Sequence, residues 1–269
     1  MAGGRDKMKI QDILNWLGSL ARDRYPEDRL YEGDPETDVS GVLFCWMANE
    51  GARRTAVERG ANLIVAHEAP YYETLHVDAG CPPPSDWLVN QRIRQFYREH
   101  RVGVIRSHRT LDAYCIPRVL AEHLGFPAPA VCDGHRGYEF TLVYDLVPQP
   151  FAALVRRLKE RMGLDRVRAS ARPPDAMVRW VGMGWGGVSL SANLQYMELL
   201  RRHGVEVIIG GEVDEYALEY YRESGMDWIE LGHYATEIIG IERASRDMSA
   251  AFPGLPVSCY RDAQRIAFA

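Results

Sequence analysis

The stretch that decides the fold reads NLIVAHEAP, at positions 62–70. Its apolar residues 63–66 follow Gly60 and predict a short buried strand. The strand ends abruptly in His67 and Glu68, two side chains that bind metals or protons. In a parallel α/β sheet the functional groups gather beyond the carboxyl ends of the strands, so we expect chemistry at this point of the chain.

Two later stretches repeat this design. An apolar run at 102–105 leads to His108 and, four residues later, to Asp112. A second run leads to His233 and, again four residues later, to Glu237. This spacing brings two side chains together if a helical turn forms. Each pair alone is also explained by a surface turn or a capping carboxylate, but three histidines at the ends of three apolar strands favour a shared site.

Histidine and carboxylate side chains are ligands of Zn, Mn and Fe, and a carboxylate can bridge two metal ions. The residues that offer such groups at the strand ends are His67, Glu68, Asp112, His233 and Glu237. Adjacent strand residues point to opposite faces, so His67 and Glu68 reach one site only where the backbone turns, and the following Pro70 supplies that break. In a hydrolytic reaction His108 or Glu68 would carry the proton.

Three further residues are candidates for substrate contacts. Gly184 lies in the turn GMGWGG at 182–187, whose backbone N–H groups would suit a phosphate, although the turn lacks the Walker lysine and the full GxGxxG pattern. A plain strand-to-helix turn explains it equally well. Glu212 either faces the site or starts a helix. Arg109 is suited to bidentate binding of an anionic group.

Composition places the chain among ordinary globular proteins. It has 269 residues, of which 46% are hydrophobic, and a formal net charge of −5. Because no long basic run occurs, nucleic-acid binding is disfavoured. No apolar run approaches the ~18 residues that span a membrane, and the start of the chain is polar. Five widely spaced cysteines without a CxxC motif fit reduced thiols. We therefore expect a cytoplasmic protein without membrane association.

The pattern of elements predicts an α/β fold. Strands alternate with helices, as in the sequence strand 41–47, helix 48–60 and the strand that ends at His67, and this rhythm is typical of a parallel sheet with right-handed crossovers. Residues 23–38 are polar and predict a loop. The Gly- and Pro-rich stretch 125–137 predicts a lobe boundary. We expect a two-lobed sandwich of mixed sheets flanked by helices, with residues 1–127 and 228–269 in lobe I and 128–227 in lobe II.

Three motifs carry a family resemblance: GANLIVAHEAP at 60–70, SHRTLD at 107–112 and GHYATE at 232–237. In order and spacing they resemble the NGG-interacting-factor-like family of dinuclear-metal-centre proteins, often labelled GTP cyclohydrolase I type 2. The resemblance covers nearly the whole chain. The turn at 184–187 and the pair Gly211-Glu212 fall where that family has glycine-rich and Thr-Gly-Glu segments.

The resemblance implies a two-lobed α/β fold, a metal site of two divalent ions (Fe, Mn or Zn) between the lobes, and a ring-shaped homohexamer acting on a small-molecule substrate. Its metal ligands fall on His67, Asp112, His233 and Glu237, with Glu237 as the bridging ligand. His108 becomes a residue near the site rather than a ligand.

The chain also departs from the family pattern. Glu68 replaces the second histidine of a His-His pair, which adds charge and an oxygen donor and favours harder ions such as Mn or Fe over Zn. Arg109 stands where the family has an uncharged threonine, and residues 29–34 depart from its Gly-Leu-Gln-Val-Gly segment. Gly211 replaces a threonine, and Tyr216 stands near a usual histidine. These changes indicate a divergent member with a changed substrate.

These observations favour a divalent-metal-dependent hydrolase that activates water against a small substrate, phosphorylated or heterocyclic. The alternative is a non-catalytic protein that binds or carries metal, or that serves as a scaffold. A third reading is a structural α/β protein whose carboxylates only cap helices.

Overall fold

The computed structural model describes residues 8–74, 78–135 and 138–262. The strands, in chain order, are β1 (Leu30–Glu32), β2 (Val42–Cys45), β3 (Leu63–Ala66), β4 (Gly103–Arg106), β5 (Val131–His135), β6 (Tyr138–Pro150), β7 (Arg168–Ala169), β8 (Met177–Gly184), β9 (Val207–Gly210), β10 (Asp227–Glu230) and β11 (Val257–Cys259). The α-helices are α1 (Ile10–Ser19), α2 (Glu50–Glu58), α3 (Leu88–His100), α4 (Arg109–Tyr114), α5 (Ile116–His123), α6 (Phe151–Met162), α7 (Leu194–Arg202), α8 (Glu215–Ser224) and α9 (His233–Ala251). Over the described part of the chain, no helix is both long and apolar enough to cross a membrane.

The chain divides into two compact units. The first comprises Met1–Tyr114 and Ile241–Ala269, and the second comprises Cys115–Gly240. Each unit contains one sheet with its own strand order.

The first unit contains a sheet with the strand order β1-β4-β3-β2-β11. Strands β4, β3, β2 and β11 run parallel to one another, and β1 is antiparallel to β4. Every residue of β2 and β3 is buried. This accounts for the uninterrupted apolar runs, because a parallel sheet is covered on both faces. The predicted strand–helix–strand rhythm of this region is confirmed.

The second unit contains a sheet with the strand order β5-β6-β8-β9-β10-β7. Its central strands β8, β9 and β10 are parallel. Antiparallel strands flank them, since β6 pairs with both β5 and β8, and β7 pairs with β10. Both sheets are therefore mixed and accompanied by helices, so the predicted α/β class is confirmed.

Two predicted irregular stretches contain strands. The loop predicted at 23–38 includes β1, which pairs with β4 through Leu30 and Ile105. The stretch 125–137, predicted as a lobe boundary, includes β5, which pairs with β6. In both cases hydrogen bonds to a partner strand stabilise a segment whose own residues do not alternate between polar and apolar.

The compact units are bounded after positions 114 and 240. The lobe boundaries after 127 and 227 stay a prediction. Strand β10 belongs to the second unit because it pairs with β9 along its whole length. Helix α5 belongs there too, because Ile116 approaches Gly240 of α9 closely. A Cβ added to Gly240 would lie only 2.6 Å from the Cα of Ile116. The thiol of Cys115 also donates a hydrogen bond to the carbonyl of Gly240 across 3.3 Å.

Candidate metal centre

The parallel strands β3 and β4 carry two histidines to the same edge of the first sheet. Their register pairs Ala66 with Arg106, so His67 follows β3 where the chain after β4 leads to His108. The two imidazole rings stack, with centroids 4.5 Å apart and 28° between their planes. The topology of the sheet thus brings together two residues that are far apart in sequence.

Asp112, on the first turn of α4, lies against both of these histidines. One carboxylate oxygen is 3.9 Å from Nε2 of His67, and the other is 3.9 Å from Nδ1 of His108. His67 and Asp112 are buried. These distances are too long for direct hydrogen bonds. They match two ligand atoms of one ion, which lie roughly 3–4 Å apart when each bond is about 2.0–2.2 Å long.

Glu68 belongs to the same cluster as its neighbour His67. Each of Glu68, His67 and His108 offers one ligand atom, and these three atoms lie within 4.8 Å of one another. Adjacent residues reach one place because the strand has ended. The amides of His67 and Glu68 still donate to the carbonyls of Cys45 and Trp46, at 3.1 and 2.7 Å, and this fixes the turn.

Asp28 positions the start of α4, and the sequence pattern did not identify it. Its carboxylate accepts hydrogen bonds from the backbone N–H groups of His108 (2.8 Å) and Thr110 (2.6 Å). Asp28 lies in the stretch predicted as a loop. No motif connects it to α4, so only the folded chain shows that it holds the segment carrying His108.

The second unit contains a separate cluster at the start of α9. His233 is the first residue of that helix, after Gly232, whose φ is +97°. Nε2 of His233 is 3.4 Å from a carboxylate oxygen of Glu237, one turn later. The imidazole is partly exposed, whereas Glu237 is buried. The predicted i, i+4 pair is therefore formed on a helical turn.

Glu212 contacts His233 directly. Its carboxylate accepts a hydrogen bond of 2.9 Å from Nδ1 of the ring. The sequence leaves open whether Glu212 faces the site or starts a helix, and its contact with substrate stays a prediction. In the structure it orients a candidate ligand, as carboxylates do for many metal-bound histidines.

The glycine-rich turn after β8 supports the first turn of α9. The N–H of Gly186 donates to the hydroxyl of Thr236 at 3.0 Å. Gly186 has a φ of +51°, and a side chain there would overlap the carboxylate of Glu237. The carbonyl of Gly184 accepts hydrogen bonds from the amide of Gly211 (2.8 Å) and the hydroxyl of Ser189 (3.1 Å). The N–H of Gly186 is therefore already hydrogen-bonded to Thr236, and the turn packs against the cluster.

Arg109 lies beside an acidic residue. Its Nε is 2.5 Å from a carboxylate oxygen of Glu27, and its guanidinium carbon is 5.9 Å from the centre of the Tyr25 ring. About half of the Arg109 side chain is exposed. An anionic substrate group would have to compete with Glu27 for this guanidinium.

Two other carboxylates near the second cluster have altered proton affinities. Burial raises the pKa of Glu230 above its ordinary value, although the nearby charge of Arg168, 3.0 Å away, opposes that rise. Burial also acts to raise the pKa of Asp214, but hydrogen bonds from the amides of Ala217 and Ser191 outweigh it and lower the pKa. Both carboxylates hold neighbouring backbone in place, and neither lies in the clusters described above.

The chain matches the model of the Duf34/NIF3 family (NGG1p interacting factor 3) over residues 8–263. A Pasteurella multocida (strain Pm70) protein called GTP cyclohydrolase 1 type 2 homolog is 33% identical over 245 residues, covering 87% of this chain and 90% of that protein. An Escherichia coli (strain K12) protein of the same name is 28% identical over 265 residues, covering 92% and 97%. The crystal structure of Staphylococcus aureus protein SA1388 has a TM-score of 0.77 at 14% identity, covering 98% of this chain and 100% of that one. This structural likeness supports the fold alone.

Proposed function

Because the chain belongs to the Duf34/NIF3 family, we propose that it is a divalent-metal-dependent hydrolase that activates water with two metal ions. One observation carries the proposal: each unit holds a histidine within 3.9 Å of a buried carboxylate, as His67 with Asp112 and His233 with Glu237. A buried carboxylate is costly unless a positive charge or hydrogen bonds compensate it, and a divalent cation supplies such a charge.

The donor set fits the expected ions. Nitrogen and oxygen ligands without cysteine suit Zn, Mn or Fe. The proposed ligands are His67, Glu68 and Asp112 in the first unit and His233 and Glu237 in the second. Glu68 adds an oxygen donor to the first cluster, and this makes Mn or Fe better suited than Zn.

When bound, two divalent ions would lower the pKa of water toward neutrality and polarise the bond under attack. The side chains of the protein perform the remaining tasks. His108 stacks on His67 and is partly exposed, so its imidazole is available to take up the proton of the attacking water. Asp28 fixes the backbone of His108, because its carboxylate accepts a hydrogen bond from the backbone N–H of that residue. Glu68 takes over the proton transfer if it does not bind metal.

The ring of His233 is oriented before any ligand binds. Because a carboxylate oxygen only accepts, the bond to Glu212 places a proton on Nδ1 and leaves the lone pair of the neutral ring on Nε2. That lone pair is on the side of Glu237. A fixed tautomer raises the affinity of such a site, since no ring rotation or proton rearrangement precedes binding.

The substrate proposed is a small phosphorylated or heterocyclic molecule. The relatives in Pasteurella multocida and Escherichia coli are called GTP cyclohydrolase 1 type 2 homolog, which makes GTP the first compound to test. We also propose that the protein assembles as a homo-oligomer, a homohexamer by the family resemblance.

The test uses the purified full-length protein, stripped with a chelator and then supplied with Mn, Fe or Zn. The assay measures the consumption of GTP by chromatography. We expect this consumption to stop when the chelator removes the metal and to return when Mn or Fe is added. His233→Ala should be inactive, whereas Glu219→Ala, an exposed residue paired with Arg222 on α8, should keep full activity. Full turnover by His233→Ala would overturn the proposal. Stoichiometric metal binding without turnover of GTP or simple phosphate esters would instead favour the metal-carrier alternative.

A further inference from the structure

A small cavity lies in the first unit, next to the segment that carries His108. Its volume is about 190 Å³, and α1, the chain before β1 and the end of β4 line it. The charged residues that line it are Arg24, Asp28, Arg29 and Arg106. None of the proposed metal ligands is among the described residues that line this cavity, so it is distinct from the candidate metal centre.

Two polar atoms in the lining have no hydrogen-bond partner among the residues that the structure describes. They are Nε of Arg106 and the hydroxyl oxygen of Ser107, both buried. Ser107 is 1% exposed. Most buried polar groups are hydrogen-bonded, and an unsatisfied one costs free energy. Arg106 and Ser107 both line the cavity and both carry such a donor, so the cavity suits a ligand that accepts hydrogen bonds.

The charge of the cavity favours an anion. Arg24 and Arg106 have no ion-pair partner in the described ranges. Arg29 lies over the ring of Tyr31, with its guanidinium carbon 4.8 Å from the ring centroid. The single carboxylate, Asp28, is already engaged by two backbone amides of the α4 turn. Three arginines and one carboxylate thus line the cavity, which leaves its charged lining net positive.

We propose that this cavity binds a phosphate group, held by Arg106 and Ser107 with Arg24 and Arg29 supplying positive charge. Guanidinium groups match the oxygen geometry of phosphate, and their hydrogen bonds to it are charge-assisted. A water molecule takes up about 30 Å³ of liquid volume, so the cavity accommodates a tetrahedral oxyanion together with a few waters. The phosphate group is either free inorganic phosphate or the head of a small phosphate ester.

The experiment measures binding of inorganic phosphate to the full-length protein by titration calorimetry, with and without a chelator. The chelator arm removes phosphate binding at metal ions. We expect one phosphate per chain in both arms for the wild type. Arg106→Gln and Ser107→Ala should each weaken binding about tenfold or more. Arg54→Gln, which changes an exposed arginine paired with Glu50 on α2, should bind like the wild type.

A second measurement separates binding from folding. Ser107→Ala removes a hydroxyl without a hydrogen-bond partner, so its Tm without phosphate should equal or exceed that of the wild type. Phosphate should raise the Tm of the wild type more than that of Ser107→Ala. A parallel titration uses glycerol phosphate in place of inorganic phosphate. The compound that binds with the higher affinity shows whether the cavity prefers a phosphate ester or free phosphate. Absence of phosphate binding by the wild type, or equal binding by all variants, would overturn the proposal.

Discussion

Glu212 holds His233 in one orientation, because its carboxylate accepts a 2.9 Å hydrogen bond from Nδ1 of the imidazole. The other ring nitrogen is 3.4 Å from the buried carboxylate of Glu237. Glu212, in the loop between β9 and α8, thus determines which nitrogen of the neutral ring carries the lone pair. Three side chains from two segments act as a unit in the second cluster.

Removing this hydrogen bond should weaken metal binding. We expect Glu212→Ala to lower the affinity for Mn by about 10–100-fold, the usual effect of losing such a supporting contact. Glu212→Gln keeps an acceptor oxygen and should lose less. A competition titration with a coloured chelator measures both, and Glu219→Ala on α8 serves as the control. Unchanged affinity in Glu212→Ala would show that the hydrogen bond does not orient a ligand.

Gly186 should tolerate no side chain. Gly186 and Gly204 both have positive φ, at +51° and +76°. A Cβ on Gly204 meets nothing within 4 Å, whereas one on Gly186 overlaps Glu237. Gly204→Ala should cost only the left-handed strain, about 1–2 kcal/mol in urea unfolding. Gly186→Ala should cost more and should also lose metal. Equal losses of stability, with metal content retained in both variants, would contradict this explanation.

Glu68 should set the preference among metals. Its ligand atom lies within 4.8 Å of those of His67 and His108, and carboxylate oxygen favours harder ions than imidazole does. We expect Glu68→His to shift the preference from Mn or Fe toward Zn. The measurement is the ratio of Mn to Zn bound after equilibration with equal amounts of both ions. An unchanged ratio would place Glu68 outside the metal site.

Asp214 should make the stability of the second unit depend on pH. It caps α8, and its carboxylate accepts hydrogen bonds from the amide of Ala217 (2.8 Å) and from the amide (2.9 Å) and hydroxyl (2.8 Å) of Ser191. Burial alone would raise the pKa of Asp214, but these bonds lower the pKa below its ordinary value of 3.8. The stabilisation is therefore complete above pH 3.8 and is lost as the pH falls through the lower pKa of the folded state.

The variant Asp214→Asn tests this prediction. Asparagine keeps a capping oxygen but does not titrate. In urea unfolding the wild type should be the more stable protein at pH 7, and the difference should shrink as the pH falls below 3.8. A difference that stays constant with pH would show that the carboxylate charge contributes nothing to stability.

The sequence predicts the strands and helices that have a clear pattern of apolar residues within their own segment. Strands β2 and β3 are uninterrupted apolar runs, and helix α2 (Glu50–Glu58) lies within the predicted helix 48–60. The short strand β1 escapes detection because it depends on pairing with β4. The close approach of Ile116 to Gly240, which joins α5 to the second unit, is likewise not indicated by any pattern in the sequence.

For the candidate site too, the sequence predicts contacts between residues close in the chain but not contacts between distant segments. Spacing alone indicates the pairs His108 with Asp112 and His233 with Glu237, because i, i+4 neighbours meet on any helical turn. Contacts between distant segments are invisible at that level. Neither the bond from Glu212 to His233 nor the ion pair of Arg109 with Glu27 follows from a pattern in the sequence. Such contacts depend on the tertiary fold, which composition and periodicity do not encode.

Metal content per chain tests the proposed centre most directly. The full-length wild type, His67→Ala, His233→Ala and the control Glu219→Ala are each loaded with excess Mn, passed through a desalting column and analysed by elemental mass spectrometry. We expect two ions per chain in the wild type and the control, and fewer in both histidine variants because each has lost a ligand of the centre. If the wild type retains no metal, or if His67→Ala and His233→Ala both retain as much as it does, the two clusters do not form a metal centre.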